Sequence, residues 1–230
     1  MNFKTFLVGG AVRDELLGLP CKDLDYVVMA PSFEAMRDHL VNEQRCKIFV
    51  EKPEYLTIRA KHPVLGCVDF ACARRDGNYT DGRRPDETSI TTDLKEDLSR
   101  RDFTCNAIAK DVETGEVFDP FNGFKAITDM ELIAVGNATE RLYEDRLRAF
   151  RAVRFAVVKN FRINIELWNA INRLTPNQFA NVSTERIREE LLKAFRNNAE
   201  RSFNLLNKDF PVLWQVVCER GIWFKPTTEQ

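Results

Sequence analysis

The 230-residue sequence predicts an α+β fold: a mixed β-sheet flanked by helices in the N-terminal half, followed by an all-α C-terminal half. Three observations predict it. Up to about Ala126 the apolar residues come in short runs punctuated by Gly, Pro and polar clusters, the pattern of strands and turns. Beyond Ala126 strand signals fade and apolar residues recur at helical spacing. A composition of 44% hydrophobic and 30% charged residues at this length can bury a sizeable core, which excludes a disordered tail, a mini-protein and a fibre.

Phe3 to Val8 reads as a strand, Gly9-Gly10 as a tight turn, and Ala11 to Leu17 as a short helix stopped by Gly18 and Pro20. Leu24 to Met29 is a second strand, and Ser32 is placed to cap a helix running to about Leu40. Lys47 to Arg59 and Val64 to Ala73 are expected as two further strands. From Arg74 to Asp97 the chain turns polar, with Gly77, Gly82 and Pro85, which predicts a long functional loop that opens and closes over a site. The C-terminal half offers helices over Glu140 to Lys159, Ile165 to Leu174, Ser183 to Asn197 and Ala199 to Asn207.

No apolar run approaches the ~18 to 20 residues that span a bilayer, so no membrane partner is expected. Thr5 to Val12 is short for a signal-peptide core and runs straight into Arg13, Asp14 and Glu15; it reads as buried strand and turn. The six cysteines contain no CxxC pair and only two histidines accompany them, so scattered reduced thiols in a cytoplasm are expected rather than a zinc site. Lys and Arg total 34 against 35 Asp and Glu, so any site for a polyanion must be local. Residues 141–200 hold 12 basic and 7 acidic side chains, a net of +5 that leaves −6 for the remainder. Acidic sheet and basic helices suit an enzyme that places metal ions on carboxylates and polyphosphate or RNA on arginines; a solvated helical surface is the alternative reading.

Asp23 and Asp25 stand two apart at the start of an apolar strand, where the period of 2 aims both carboxylates to one face. Hard oxygen ligands so paired suit Mg²⁺ with substrate phosphates. Such acid pairs are common by chance in a chain this acidic, and the neighbourhood supplies the specificity: Gly9 and Gly10 fall between a strand and a helix, where missing Cβ atoms let backbone approach a polyphosphate, and Arg13 follows one turn in.

These residues carry a resemblance. LVGGAVRDELLG (Leu7 to Gly18) with KDLDYVV (Lys22 to Val28) resembles the signature of the class II CCA-adding tRNA nucleotidyltransferases and bacterial poly(A) polymerases, within the polymerase beta-like nucleotidyltransferase superfamily. RRDFTCNAIA (Arg100 to Ala109), DPFNG (Asp119 to Gly123), EDRLRAFRAVRF (Glu144 to Phe155) and STERIREEL (Ser183 to Leu191) then resemble the family's later motifs in order.

The resemblance implies a nucleotidyltransferase head over 1–125, a helical neck over 126–195, and a short body remnant over 196–230, a short form lacking most of the family's body and tail. It implies metal-dependent addition of C, C and A to the tRNA 3′ end from CTP and ATP with release of pyrophosphate. A CC-adding, A-adding or poly(A)-forming relative, or a catalytically silent RNA-binding protein, remain alternatives. Asp23 and Asp25 would bind two Mg²⁺ ions, and Asp69 stands where the family commonly carries Glu as a third acidic strand residue. Arg101 and Asp102 would contact the incoming nucleotide.

Asp145 and Arg148, three apart on an expected helix, would read the base. Arg offers only donors and ionised Asp only acceptors, a pattern that cytosine and adenine satisfy and that uracil and guanine oppose with a carbonyl. Arg151 would face the same pocket, while Arg154, Arg186 and Arg188 either track RNA backbone or pair with neighbours such as Glu185 and Glu189. Monomer and homodimer are both open.

Overall fold

The computed structural model describes residues 3–21, 24–79 and 85–222, so Asp23 and residues 80–84 of the polar stretch lie outside the described residues. The described residues divide into two compact units: those through Asn78 together with Pro85–Asp129, and those from Met130 to Ile222 with Tyr79. The fold class is α+β as expected.

The first unit runs β1 (Lys4–Val8), α1 (Gly10–Leu16), β2 (Asp25–Met29), α2 (Phe33–Asn42), β3 (Lys47–Lys52), β4 (Thr57–His62), β5 (Gly66–Cys72), β6 (Arg74–Asp76), β7 (Thr88–Ile90), α3 (Leu94–Ser99), β8 (Ala109–Asp111), β9 (Val117–Phe118) and α4 (Gly123–Thr128). Seven strands form one mixed sheet in the order β3-β4-β5-β2-β1-β8-β9. Ser32 caps α2 as expected, accepting from the Ala35 N–H at 3.0 Å. Helix α2 lays Phe33, Met36 and Leu40 on Tyr26, Val28, Ile58, Ala60, Val68, Phe70 and Cys72. Because alternate strand residues face opposite ways, Asp25, Asp69 and Arg59 stand on the other face of the sheet.

Two sequence expectations change here. Lys47 to Arg59 is not one strand: Pro53, which has no N–H for a ladder, opens a 3₁₀ turn over Pro53–Tyr55 that closes at Leu56 in the left-handed region, φ 56°. The stretch from Arg74 to Asp97 is not wholly loop, since β6 and β7 pair as antiparallel strands and α3 follows. The Asp93 side chain caps α3 through the Lys95 N–H at 2.8 Å, and Asp97 is fully buried. Polarity concealed these elements because key charges in them, Arg74 with Asp76 and Asp97 with Arg100, are paired within the fold.

The second unit contains β10 (Glu131–Leu132), α5 (Ala138–Glu144), α6 (Leu147–Val158), β11 (Arg162–Ile163), α7 (Ile165–Asn172), α8 (Thr184–Asn197), α9 (Ala199–Asn204) and α10 (Pro211–Glu219). It is helical apart from the two-residue parallel pairing of β10 with β11. The single helix expected over Glu140 to Lys159 is two, broken at Asp145, whose backbone is extended (φ −145°, ψ 106°). Its carboxylate Oδ1 accepts from the Leu147 N–H at 3.0 Å, and its carbonyl accepts from the Arg148 N–H at 3.0 Å. Asp competes with the helix for its own backbone, which is why it starts α6 rather than sitting within it. The helix expected over Ala199 to Asn207 gives way to a π turn at Leu205, and α10, unanticipated from sequence, follows Phe210 with Pro211 at its first turn. Phe150 of α6 meets Phe179 edge-on at 5.5 Å in a fully buried core. All six cysteines are free thiols, and among the described residues no helix is long and apolar enough to cross a membrane.

Candidate active site

The first unit builds its site at the ends of β1, β2 and β5. Asp25 opens β2 and pairs in register with Asp69 on parallel β5 and with Val8 on antiparallel β1. Directly paired residues share a sheet face, so the two carboxylates stand side by side about 4.8 Å of strand spacing apart. Both Asp69 oxygens are engaged by Arg59 of β4, with Nε donating to Oδ1 at 2.7 Å and Nη2 to Oδ2 at 2.6 Å. Among the described residues no group of three potential metal ligands is assembled. The donor set nonetheless fits a hard divalent cation: Asp25 and Asp69 are oxygen ligands on one face, and Asp23, two residues before Asp25, is outside the described residues.

Immediately after β1, Gly9 adopts φ +70°, and a Cβ there would lie 2.9 Å from Arg101 Nη1. Only glycine permits both the left-handed turn and this approach. Gly10 begins α1, and a Cβ there would meet the Arg13 guanidinium at 3.4 Å. Arg13 is 6% exposed, donating from Nε to Asp14 Oδ1 at 2.9 Å and from Nη1 to Asn106 Oδ1 at 2.5 Å. Asn106 in turn donates from Nδ2 to Asp102 Oδ1 at 2.9 Å, and Asp102 Oδ1 also accepts from the Phe103 N–H at 2.8 Å. Arg is donor-only and carboxylate acceptor-only, which fixes the amide orientation of Asn106 between them. The structure therefore places Arg13 and Asp102 in one buried network that ties the Gly-Gly turn to the RRDFT segment.

Arg101 donates from Nη2 to Asp97 Oδ2 at 3.3 Å, while its buried Nε has no hydrogen-bond partner. Burial lowers the guanidinium's affinity for its proton, opposed by the Asp97 charge. A largely buried cation with an unanswered Nε donor beside glycine backbone suits an anionic oxygen. Its anchor, Asp97, was absent from the sequence reading. Burial pushes the Asp97 carboxyl up, but the Arg100 and Arg101 guanidiniums and the Arg74 N–H outweigh it and hold the group below the usual carboxylate range. Asn106 was likewise missed as a contributor, although it lies within the RRDFTCNAIA segment.

Gly123 of the DPFNG segment has a structural task. A Cβ there would fall 2.2 Å from the Thr104 carbonyl oxygen and 2.7 Å from Ile108, so α4 lies directly on the turn that carries Asn106. Asp119 caps this helix from both oxygens, accepting from the Gly123 and Phe124 N–H groups at 2.7 and 2.8 Å.

In the second unit, the expected helix face bearing Asp145 and Arg148 becomes a helix junction. Asp145 Oδ2 accepts from Arg186 Nη2 at 3.0 Å, and Arg148 Nη1 donates to Glu144 Oε2 at 2.6 Å and to the Arg141 carbonyl at 2.8 Å. The two side chains are thus held separately, by α8 and by α5. Arg151 lies 3.5 Å from Glu190 of α8, and Arg154 pairs with the same buried carboxylate while stacking over Phe155 at 4.2 Å. Arg186 pairs with Asp145 rather than with Glu185 or Glu189, and Arg188 is exposed. Glu190 organises Arg151 and Arg154 from a distant helix, which spacing along the chain does not show, whereas Glu144, three after Arg141 and four before Arg148, was legible from spacing and was missed.

Comparison with known proteins agrees with this architecture. A model described as the poly A polymerase head domain matches residues 5–133, and one described as a probable RNA and SrmB-binding site of polymerase A matches residues 160–209. The CCA-adding enzyme of Geobacillus thermodenitrificans is 39% identical over 97% of this chain and 54% of its own length, and that of Listeria innocua 38% identical over 90% and 51%. The chain therefore spans about half the length of these relatives. Among solved structures, the Bacillus stearothermophilus CCA-adding enzyme in complex with CTP superposes with a TM-score of 0.78 at 33% identity, covering 89% of this chain and 48% of that one. A tRNA nucleotidyltransferase complexed with a primer tRNA and an incoming ATP analog gives a TM-score of 0.74 at 29% identity, covering 94% and 59%. With five ordered motifs, a head-domain match over more than half the chain and relatives of this one kind, the chain belongs to the family of class II CCA-adding tRNA nucleotidyltransferases and bacterial poly(A) polymerases.

Proposed function

We propose that this chain is a metal-dependent, template-independent nucleotidyltransferase that adds C, C and A to the 3′ end of tRNA from CTP and ATP, releasing pyrophosphate. The observation that carries the reading is the juxtaposition in one unit of Asp25 and Asp69 with the Gly9 turn and the partly unsatisfied Arg101 guanidinium. In this reading Arg101 takes a phosphate oxygen of the nucleotide, and Gly9 and Gly10 allow the close approach. Arg13, Asn106 and Asp102 keep that turn in place. Asp25 and Asp69, with Asp23, would hold Mg²⁺, which when bound would neutralise charge on the phosphates and lower the pKa of the attacking hydroxyl.

Base choice falls to Asp145 and Arg148, with Arg151 beside them. Their present partners, Arg186 and Glu144, orient an acceptor-only and a donor-only group, and together they would satisfy cytosine or adenine. Arg154, Arg186 and Arg188 add positive charge for RNA backbone in this reading, and the head, neck and body divisions at 125 and 195 belong to it as well. A cytoplasmic location accords with the six free thiols.

The test is product length. Purified protein with Mg²⁺ and tRNA lacking its terminal CCA is expected to add two residues from CTP alone and three from CTP with ATP. Addition stopping at CC, only A on a CC end, or an oligo(A) tail would replace full CCA addition by the corresponding specialist. No incorporation where a CCA-adding enzyme succeeds would overturn the enzyme reading.

A further inference from the structure

Across the sheet, one row of paired positions runs Val50 (β3), Arg59 (β4), Asp69 (β5), Asp25 (β2) and Val8 (β1), after which the chain turns through Gly9 beside Arg101. The two carboxylates occupy its middle. Arg101 and the Gly9 backbone flank them on one side, and Arg59 flanks them on the other. On that far side Val50, Lys52, Thr57, Arg59 and Asp69 line an open depression of about 440 Å³. Register places Lys52 opposite Thr57 and Val50 opposite Arg59, so Lys52 and Arg59 share this face, with the Arg59 side chain 62% exposed.

We infer that this depression receives the phosphodiester backbone of the RNA strand being extended, and that Arg59 acts there as a partner-switching residue controlling Asp69. The inference rests on the nucleotidyltransferase reading. In-line transfer puts attacking and leaving oxygens on opposite sides of the reacting phosphorus, so a centre on the two carboxylates needs an anion-accepting surface on both sides. Arg101 and Gly9 provide one for the triphosphate, and Arg59 with Lys52 provides the other for the strand bearing the attacking hydroxyl.

Without RNA, the Arg59 fork occupies both Asp69 oxygens at 2.7 and 2.6 Å, which blocks the approach of a cation to that carboxylate. A phosphodiester oxygen is an alternative acceptor for the same guanidinium. Because the Arg59–Asp69 pair is exposed, solvent screens it and a competing phosphate oxygen can reach the same guanidinium. Drawing Arg59 toward the RNA releases Asp69 to face the metal site beside Asp25. The phosphate and the metal ion therefore bind cooperatively through Arg59, and the carboxylate pair is completed only when a strand is present to be extended.

The experiment uses the full chain and three proteins: wild type, Arg59→Gln and Lys52→Ala. Mn²⁺ affinity is measured by electron paramagnetic resonance with and without tRNA lacking CCA, and KM is measured for tRNA and nucleotide separately. In wild type the RNA should tighten Mn²⁺ binding several-fold. Arg59→Gln should bind Mn²⁺ tightly without RNA, lose the response to RNA, and raise KM for tRNA about tenfold with KM for CTP unchanged. Lys52→Ala should raise the tRNA KM and keep the Mn²⁺ response. An Arg59→Gln protein with wild-type Mn²⁺ behaviour overturns the switch, and a rise in KM for CTP instead of tRNA overturns the assignment of the depression to RNA. Wild type that transfers no nucleotide would remove the enzymatic reading, while the Mn²⁺ titration still decides whether RNA and cation compete or cooperate through Arg59.

Discussion

Asp97→Asn is the substitution whose consequences the structure specifies most fully. Asp97 has no exposed side-chain surface, and its two oxygens accept from the Arg74 N–H at 3.2 Å, Arg100 Nε and Nη2 at 3.1 and 2.8 Å, and Arg101 Nη2 at 3.3 Å. Asparagine can retain the Oδ1 contacts with Arg74 and Arg100. It would turn an amide N–H₂ toward Arg101, placing donor against donor and leaving two guanidiniums without their shared anion. Removing one partner of a buried ion pair costs about 3–5 kcal/mol. The retained Oδ1 contacts, and the access to water of Arg100 and Arg101 at 21% and 18% exposed, reduce this to about 2–4 kcal/mol.

The assay is urea denaturation of wild type and variant as a function of pH. The folded-state pKa of Asp97 is depressed, so its stabilisation is complete above the unfolded value of about 3.9 and is lost as pH falls through the folded value. The gap between the two proteins should therefore be full at pH 7 and shrink below about pH 4, while contributions of the other carboxylates cancel in the comparison. KM for nucleotide should rise because Arg101 loses its anchor. A gap below about 0.5 kcal/mol at pH 7, or one that does not narrow in acid, would refute the keystone role.

Other outcomes follow from the same contacts. Gly123→Ala drives a Cβ to 2.2 Å from a backbone carbonyl that cannot yield, and should destabilise by about 3 kcal/mol or more, whereas Gly115→Ala, with φ +75° and open space around it, should cost only about 1 kcal/mol in the same denaturation assay. Asp25→Ala should abolish nucleotide incorporation, with tenfold-reduced turnover already arguing against a metal-binding role. Arg148→Ala should let UTP compete with CTP and ATP, and Arg186→Ala, which removes the partner of Asp145 Oδ2 while Oδ1 stays on the Leu147 N–H, should loosen the same selectivity to a lesser degree in single-nucleotide competition assays. Brief iodoacetamide treatment of the native protein should modify Cys67 and Cys218, which are exposed, and spare Cys72, whose thiol burial and the Glu34 charge push up to about 12, as read by peptide mass spectrometry.

Sequence by itself determined the fold class and the identity of most of the chemistry. The period of 2 through Asp25 to Met29, the Gly-Gly turn and the Ser32 cap are local features, written within a few residues of one another, and each stands in the structure where its pattern puts it. Motif order along the chain sufficed to give the family. Tertiary structure decided what each charge does, because an ion pair is chosen by proximity in space and a sequence shows only proximity along the chain. Arg13, one turn into the helix after the Gly-Gly turn, is held by its neighbour Asp14 and by Asn106, which lies 93 positions away. Arg186, expected either to track RNA backbone or to pair with Glu185 or Glu189, holds Asp145, 41 positions away, and Asp97 sat unremarked in a polar stretch although it is the buried anion for two arginines. Asp145 itself shows the limit most clearly: its spacing from Arg148 matched a helical face, yet its side chain caps the next helix, and backbone competition of that kind is settled only when the two helices pack.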